Sequence, residues 1–413
     1  MSKARSQIIK NLAWGNLNIL IRYATAFFVV VLLAKFYPPA DFGQYQLAIT
    51  YITIFEAMSL FHGQYVRNVL IAHPEKENIF VSAWILQWFG ICLIAVVFSV
   101  VNIALSGDFH FWVLFLLMCV KLLFKPFEVV AVLADIRLRN DLVQKTQIVT
   151  IGTFNLSRAL VAVSGLGMAW VYACSLVQGM GTAIYQLILK KRLNLKLKFA
   201  FDGQESLALI KGGAWLALTG FMGVFQLRIA AVLLEGKMLS DIYGNYQLLL
   251  KLIEPAVSLG LIAMGANYTV MAHTFQKSPE IFLKRFFKVS ALTILISILT
   301  SVIFLVVPPD FLTGILGSHY SEAFQNLKMG PLLLVANTVL AIGATFDLLR
   351  RKYMFVIAQY SASFLISVLA FGFWMDRIDI TDAIIVSSLA ASLPVVGRIL
   401  VSGIGVFWHR VRG

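Results

Sequence analysis

The chain has 413 residues, 60% of them hydrophobic and only 13% charged, with a formal net charge of +14 and a mean hydropathy of +0.84. Soluble domains are nearer half apolar and a quarter charged, so this composition excludes a soluble class and leaves a polytopic membrane protein.

Runs of roughly 20 apolar residues, the length a helix needs to cross a bilayer core of about 30 Å, define the elements. Twelve are predicted in chain order, at about 11–35, 45–64, 79–104, 110–134, 146–167, 169–189, 207–234, 246–271, 286–307, 328–349, 353–374 and 383–407. The division between the fifth and sixth rests on "SGLGM" at 164–168. The first run is too long for a signal-peptide core and contains Arg22, so no cleavable leader is expected. Cys92, Cys119 and Cys174 all fall inside apolar runs, with no disulfide or metal spacing.

The basic residues outside the spans are sharply sorted. Alternate loops carry twenty-three Lys and Arg on one side. The other side has four: Lys35, Lys237, Lys328 and Arg377. By the positive-inside rule both termini are cytoplasmic and the span count is even. The positive charge therefore records topology, and no nucleic-acid partner is expected from it.

The chain also repeats itself. Residues 9–47 align with 210–248 without gaps, and twelve of the thirty-nine pairs are identical, including the "IK..AW" and "G.YQL" positions. "FGQYQL" at 42–47 returns as "YGNYQL" at 243–248. Six spans separate the copies, so both halves enter the membrane in the same direction. The expected architecture is all-α: twelve transmembrane helices in two parallel-repeat six-helix bundles around a central cavity. The halves are predicted at 1–195 and 196–413, joined at the basic linker 190–206. The repeated glycine is expected to make a tight turn before each second span, and the tyrosines to sit at the membrane interface.

Ionisable groups inside spans are functional candidates by default, because lipid cannot satisfy them. The cations are Arg22, Lys121, Lys125, Arg158, Arg228, Lys251 and Arg398. The anions are Glu56, Glu128 and Glu254, with Asp347 near a span end. Helical spacing places Asn11, Asn18, Arg22 and Thr25 on one stripe of the first span. It does the same for His110, Lys121, Lys125, Glu128 and Asp135 in the fourth, and for Gln247, Lys251, Glu254 and Ser258 in the eighth. Each stripe must face a bundle interior or a water-filled cavity. Bland readings stand beside this one. Lys125 and Glu128, or Lys251 and Glu254, are i,i+3 neighbours that can neutralise each other, Lys251 can snorkel, and Arg158 can be a structural pair of a carboxylate. Glu56 lacks a partner in its own span, and Arg22 is a candidate for one. Pro126 and Pro255 follow Lys125 and Glu254, where a freed carbonyl bends the helix beside a charge.

Walker motifs, zinc spacings and nucleophile elbows are absent from the sequence. No catalytic residue, metal or cofactor is expected, and no enzyme activity. A membrane polymerase or ligase would need a large outer loop, and the longest here spans only about 308–327.

"YPPADFGQYQLA" at 37–48 and "FHGQYVR" at 61–67 resemble the bacterial polysaccharide-transport family, the O-antigen and exopolysaccharide repeat-unit flippases of the multidrug/oligosaccharidyl-lipid/polysaccharide exporter superfamily. The match covers the first two spans and, through the repeat, the eighth; the last four match in hydropathy only. The resemblance implies an inner-membrane transporter in lipopolysaccharide or exopolysaccharide biosynthesis. Its cargo would be an undecaprenyl-pyrophosphate-linked oligosaccharide moved from the cytoplasmic to the periplasmic leaflet, with a coupling proton or sodium ion. Membrane lipids, a polysaccharide polymerase and a chain-length regulator are the implied partners. On that expectation Arg22, Lys121, Lys125, Arg158, Arg228 and Lys251 bind the anionic cargo. Glu56, Glu128 and Glu254 are then the ion-coupling candidates. The alternative is a secondary exporter of a soluble anionic solute or drug on the same fold.

Overall fold

A computed structural model describes residues 2–61, 63–106, 108–137, 139–374 and 378–411. His62, Arg377 and Arg412 lie outside the described residues, as do the side chains of 2–13, Asn11 among them. Among the described residues the regular secondary structure is all helical, without a strand. The helices are α1 (Ser2–Phe36), α2 (Pro39–Ala57), α3 (Gly63–Ala72), α4 (Glu77–Ser106), α5 (Phe109–Cys119), α6 (Val129–Ile136), α7 (Asn140–Val163) and α8 (Met168–Arg192). They continue with α9 (Gly203–Glu235), α10 (Ser240–Lys277), α11 (Pro279–Val306), α12 (Pro309–Leu316), α13 (Ser321–Gln325), α14 (Gly330–Leu349), α15 (Tyr353–Leu369) and α16 (Ile380–Val411).

Every expected span overlaps a helix, with two revisions. The second span ends earlier than its apolar run, because α2 stops at Ala57 and the chain resumes as the short α3. The fourth is composite: α5 and α6 are joined by a nine-residue 3-10 segment, Val120–Glu128. Seven helical stretches are long and apolar enough to cross a membrane by length and composition. The helices bearing Glu56, Lys121, Lys125, Glu128, Arg158, Lys251 and Glu254 are not among them.

The chain forms two compact units, Met1–Tyr37 with Gln44–Phe221, and Pro38–Gly43 with Met222–Gly413. Of the three divisions one lies between α1 and α2, after Tyr37, and two fall inside helices, after Gly43 in α2 and after Phe221 in α9; the expected linker is the α8–α9 connection. In the first unit α1 packs on α7, α7 on α8, and α8 on the 3-10 segment. Its core includes a ring cluster in which Tyr51, Phe55, Phe98, Trp112 and Phe115 meet at tilted and edge angles. The lower half of α9 belongs here too. Lys76 pairs with Glu205 at 2.7 Å, and the Tyr65 ring lies where a Cβ on Gly212 would be. In the second unit α10, α11 and α14 pack around Met264, Met271, Phe282, Phe286 and Leu349, and α14 packs on α16 through Ala336, Leu340, Ala391 and Val395.

The repeated hexapeptides are not turns. Gly43 lies in the second turn of α2 and Gly244 in the second turn of α10, both helical. Their common role is close packing: a Cβ on Gly43 would come within 3.0 Å of the Gly244 Cα, and one on Gly244 would fall on the Pro39 carbonyl. The tyrosines are packed inside the protein. Tyr45 and Tyr246 are 0% and 1% exposed.

Candidate functional site

The 3-10 segment shapes the site. Pro126 has no N–H to close an α-helical turn, and the chain tightens to 3-10 geometry, in which residues three apart eclipse. That stacks Lys125 directly on Glu128, with Nζ 2.9 Å from Oε1. Gly179 of α8 lets the segment approach closely, since a Cβ there would collide with the Phe124 ring and crowd the Lys121 backbone.

Lys121 and Lys125 both reach Glu56 of α2, at 3.1 and 3.6 Å. Glu56 therefore pairs with two lysines of the fourth span and not with Arg22, and Lys121 has the partner that it lacks within its own helix. The four groups form a chain, Lys121–Glu56–Lys125–Glu128, lining a small pocket of about 80 Å³ with Gln178 and Thr182.

Lys125, Glu128, Gln178 and Thr182 also line a larger cavity of about 570 Å³, within the range of sites that hold drug-sized ligands. Its charged lining is Arg22, Arg67 and Lys125 against Glu128 and Asp135, three cations to two carboxylates. Arg67 is paired to Asp135. Arg22 is exposed and, among the described residues, has no carboxylate within ion-pair distance; its guanidinium lies 5.2 Å from the Tyr23 ring centre. The first-span stripe is recovered here. Asn18 donates to Gln144 and Gln147 at 2.5 and 2.9 Å, and Thr25 accepts from Asn155 at 2.7 Å. These bonds fix α1 against α7 and turn Arg22, between them, to the cavity.

The sequence argument missed a belt of amides in the same wall: Asn140, Gln144, Gln147, Gln178 and Gln186. The buried Gln186 Oε1 and Asn18 Oδ1 have no hydrogen-bond partner. The signal was present in the spacing of Gln178, Thr182 and Gln186, which recur every fourth residue along one face of α8.

The other candidates sit elsewhere. Arg158 is buried at 7% exposure, donates to Tyr45 Oη at 3.0 Å and to Asn155, and lies 4.2 Å from the Phe154 ring centre. No carboxylate pairs with it among the described residues. In the second unit Arg228 and Lys251 share Glu254, each at 2.7 Å, so two cations meet one carboxylate. Asp347 is fully buried and paired with Arg398, with Gln359 donating at 3.3 Å. Among the described residues no His, Cys, Asp and Glu cluster could hold a metal ion.

No protein-family model matches the chain, and no curated protein sequence does. Solved structures do. A multidrug resistance MATE family transporter of the MOP superfamily, in an inward-facing conformation, matches at 12% identity and a TM-score of 0.68, over 95% of this chain and 94% of that one. The lipid II flippase MurJ matches at 12% identity and a TM-score of 0.70, over 92% of this chain and 85% of its own. A MOP superfamily transporter from Pyrococcus furiosus, described as having a binding pocket of reverse polarity, matches at 10% identity and a TM-score of 0.56, over 98% and 93%. At these identities the likeness is one of fold: the chain has the helical fold of the MATE and MurJ transporters of the MOP superfamily.

Proposed function

We propose that the protein is a membrane transporter of an anionic, sugar-bearing lipid, an undecaprenyl-pyrophosphate-linked oligosaccharide moved between leaflets by alternating access. The observation that carries this reading is Arg22, an exposed guanidinium without a carboxylate partner among the described residues, in a cavity whose charged lining is net cationic. Guanidinium is suited to two-point binding of phosphate oxygens. The amide belt beside it offers donors and acceptors of the kind that read sugar hydroxyls. The fold likeness to a lipid II flippase and the sequence resemblance to repeat-unit flippases support the same choice. So does the two-half organisation proposed for 1–195 and 196–413, with both termini in the cytoplasm of a bacterial inner membrane.

Coupling follows from the shared lysines. A phosphate entering the cavity competes with Glu56 and Glu128 for Lys121 and Lys125. Carboxylates released from the lysines are free to take a proton or sodium ion, and that exchange biases one access state over the other. Arg228, Lys251 and Glu254 repeat the motif of cations sharing a carboxylate in the second unit, and Arg158 acts as a support for α7.

The test is Arg22→Ala in a strain whose surface polysaccharide depends on this protein. Loss of surface polysaccharide at unchanged membrane abundance, with lipid-linked oligosaccharide accumulating in the cytoplasmic leaflet, is the expected result. Unchanged polysaccharide overturns the proposal. The competing reading, export of a soluble anionic solute or drug, draws on the likeness to multidrug transporters. It predicts accumulation of the free solute with lipid-linked sugar correctly placed.

A further inference from the structure

A second cavity, of about 170 Å³, lies between α7 and α8 and shares only Thr146 with the one already described. Positions 142, 145, 146 and 149 of α7 and 185, 188, 189 and 192 of α8 line it. Both sets run i, i+3, i+4, i+7, so one continuous face of each helix builds the groove. It contains two cations, Lys145 and Arg192, and no carboxylate. Lys145 is held over the Trp14 ring at 4.5 Å, and among the described residues neither cation has an ion-pair partner. Tyr185, also in the lining, makes no hydrogen bond to the described protein. The walls are apolar, and they continue outward along α7 and α8 through Val149, Ile184, Leu187 and Ile188, which are 43%, 53%, 48% and 42% exposed.

The groove sits at the Lys/Arg-rich end of both helices, beside Lys190 and Lys191. Under the topology implied by the charge bias, that end faces the anionic cytoplasmic leaflet. From this we infer that the α7–α8 groove binds a diacyl phospholipid with an anionic headgroup. The phosphate is held by Lys145 and Arg192 with the Tyr185 hydroxyl, and one acyl chain lies along Val149 and Ile188. Basic pockets between helices on the cytoplasmic side are a recognised setting for such headgroups. The inference does not depend on what the main cavity carries. The site adjoins α7, the helix that positions Asn18 and thereby Arg22, so the lipid braces the wall of the main cavity.

The experiment is a titration of the purified full-length protein in neutral detergent with phosphatidylglycerol, phosphatidylcholine or inorganic phosphate, following the unfolding midpoint. Phosphatidylglycerol should raise the midpoint saturably, and the other two should not. Lys145→Gln with Arg192→Gln should raise the half-saturating concentration roughly thirtyfold, at about one decade and a half for two surface cations. Lys198→Gln, an exposed cation of the same face outside the groove, should leave it unchanged. Val149→Trp fills the groove while keeping both cations, and should abolish the response; it decides the matter if the double variant does not fold. Equal stabilisation by phosphatidylcholine, an equal effect of inorganic phosphate, an equal loss in Lys198→Gln, or a retained response in Val149→Trp would each overturn the inference.

Discussion

Glu56 is the joint of the four-group chain, and replacing it with Gln is the most informative single change. Lys125 keeps Glu128 at 2.9 Å, but Lys121 loses the one carboxylate paired with it among the described residues, now at 3.1 Å. Stranding one member of a fully buried pair costs about 3–5 kcal/mol. The side chains of Lys121 and Glu56 are 17% and 28% exposed, so water screens part of this and the expected loss is roughly 1–3 kcal/mol. The reverse change is milder. Lys121→Met leaves Glu56 with Lys125 at 3.6 Å, and about 1 kcal/mol or less should be lost. Combining the two removes the stranded charge, so the double variant should match Lys121→Met rather than sum the losses. Equilibrium unfolding in mixed micelles, followed through tryptophan fluorescence, to which Trp88 with its ring 5.8 Å from Lys125 Nζ contributes, measures all three. Losses that add to within about 0.5 kcal/mol would refute the pairing.

The packing of the repeated glycines makes a sharper stability claim. Gly244→Ala drives a methyl into the Pro39 backbone, which cannot swing aside as a side chain would, and should cost about 1–3 kcal/mol. Gly220→Ala, also helical but with open space around the Cβ position, should be neutral or stabilising by up to about 1 kcal/mol; the order of the two melting temperatures is the test. Gly212→Ala should unseat the Tyr65 ring and lower the melting temperature, and adding Tyr65→Ser should restore most of the loss. Asp347→Asn strands Arg398 in the second unit and should destabilise by about 3 kcal/mol, with Arg398→Gln recovering part of it in the double variant.

Periodicity made much of the site legible. The first-span stripe put Asn18, Arg22 and Thr25 on one face, and that face is the one that meets α7 and the cavity. The i,i+3 relation of Lys125 and Glu128 likewise became an ion pair. What periodicity lacks is the identity of the facing helix. A stripe fixes an angle around one axis, so the partner of Glu56 was open to error, and Tyr45 was invisible as the partner of Arg158. The amides were passed over for a different reason: an uncharged side chain lowers hydropathy only slightly and leaves no gap in an apolar run. Pro126 promised a bend, but the 3-10 tightening also depends on Gly179 of another helix, a relation carried by no local pattern. The hexapeptides looked like turns because Gly is common there; Gly43 and Gly244 instead pack against each other's helix, and Tyr45 is buried against Tyr172 and Arg158.

That contact bears on the chain's history. Gly43 and Gly244 descend from one position if the halves arose by duplication, and each now lies against the other's helix. In an unduplicated six-helix ancestor pairing with its own copy, this position would have faced itself across the two-fold axis, so any side chain added there would have appeared on both sides of one contact at once. A glycine is required at both positions because each packs against the other's helix.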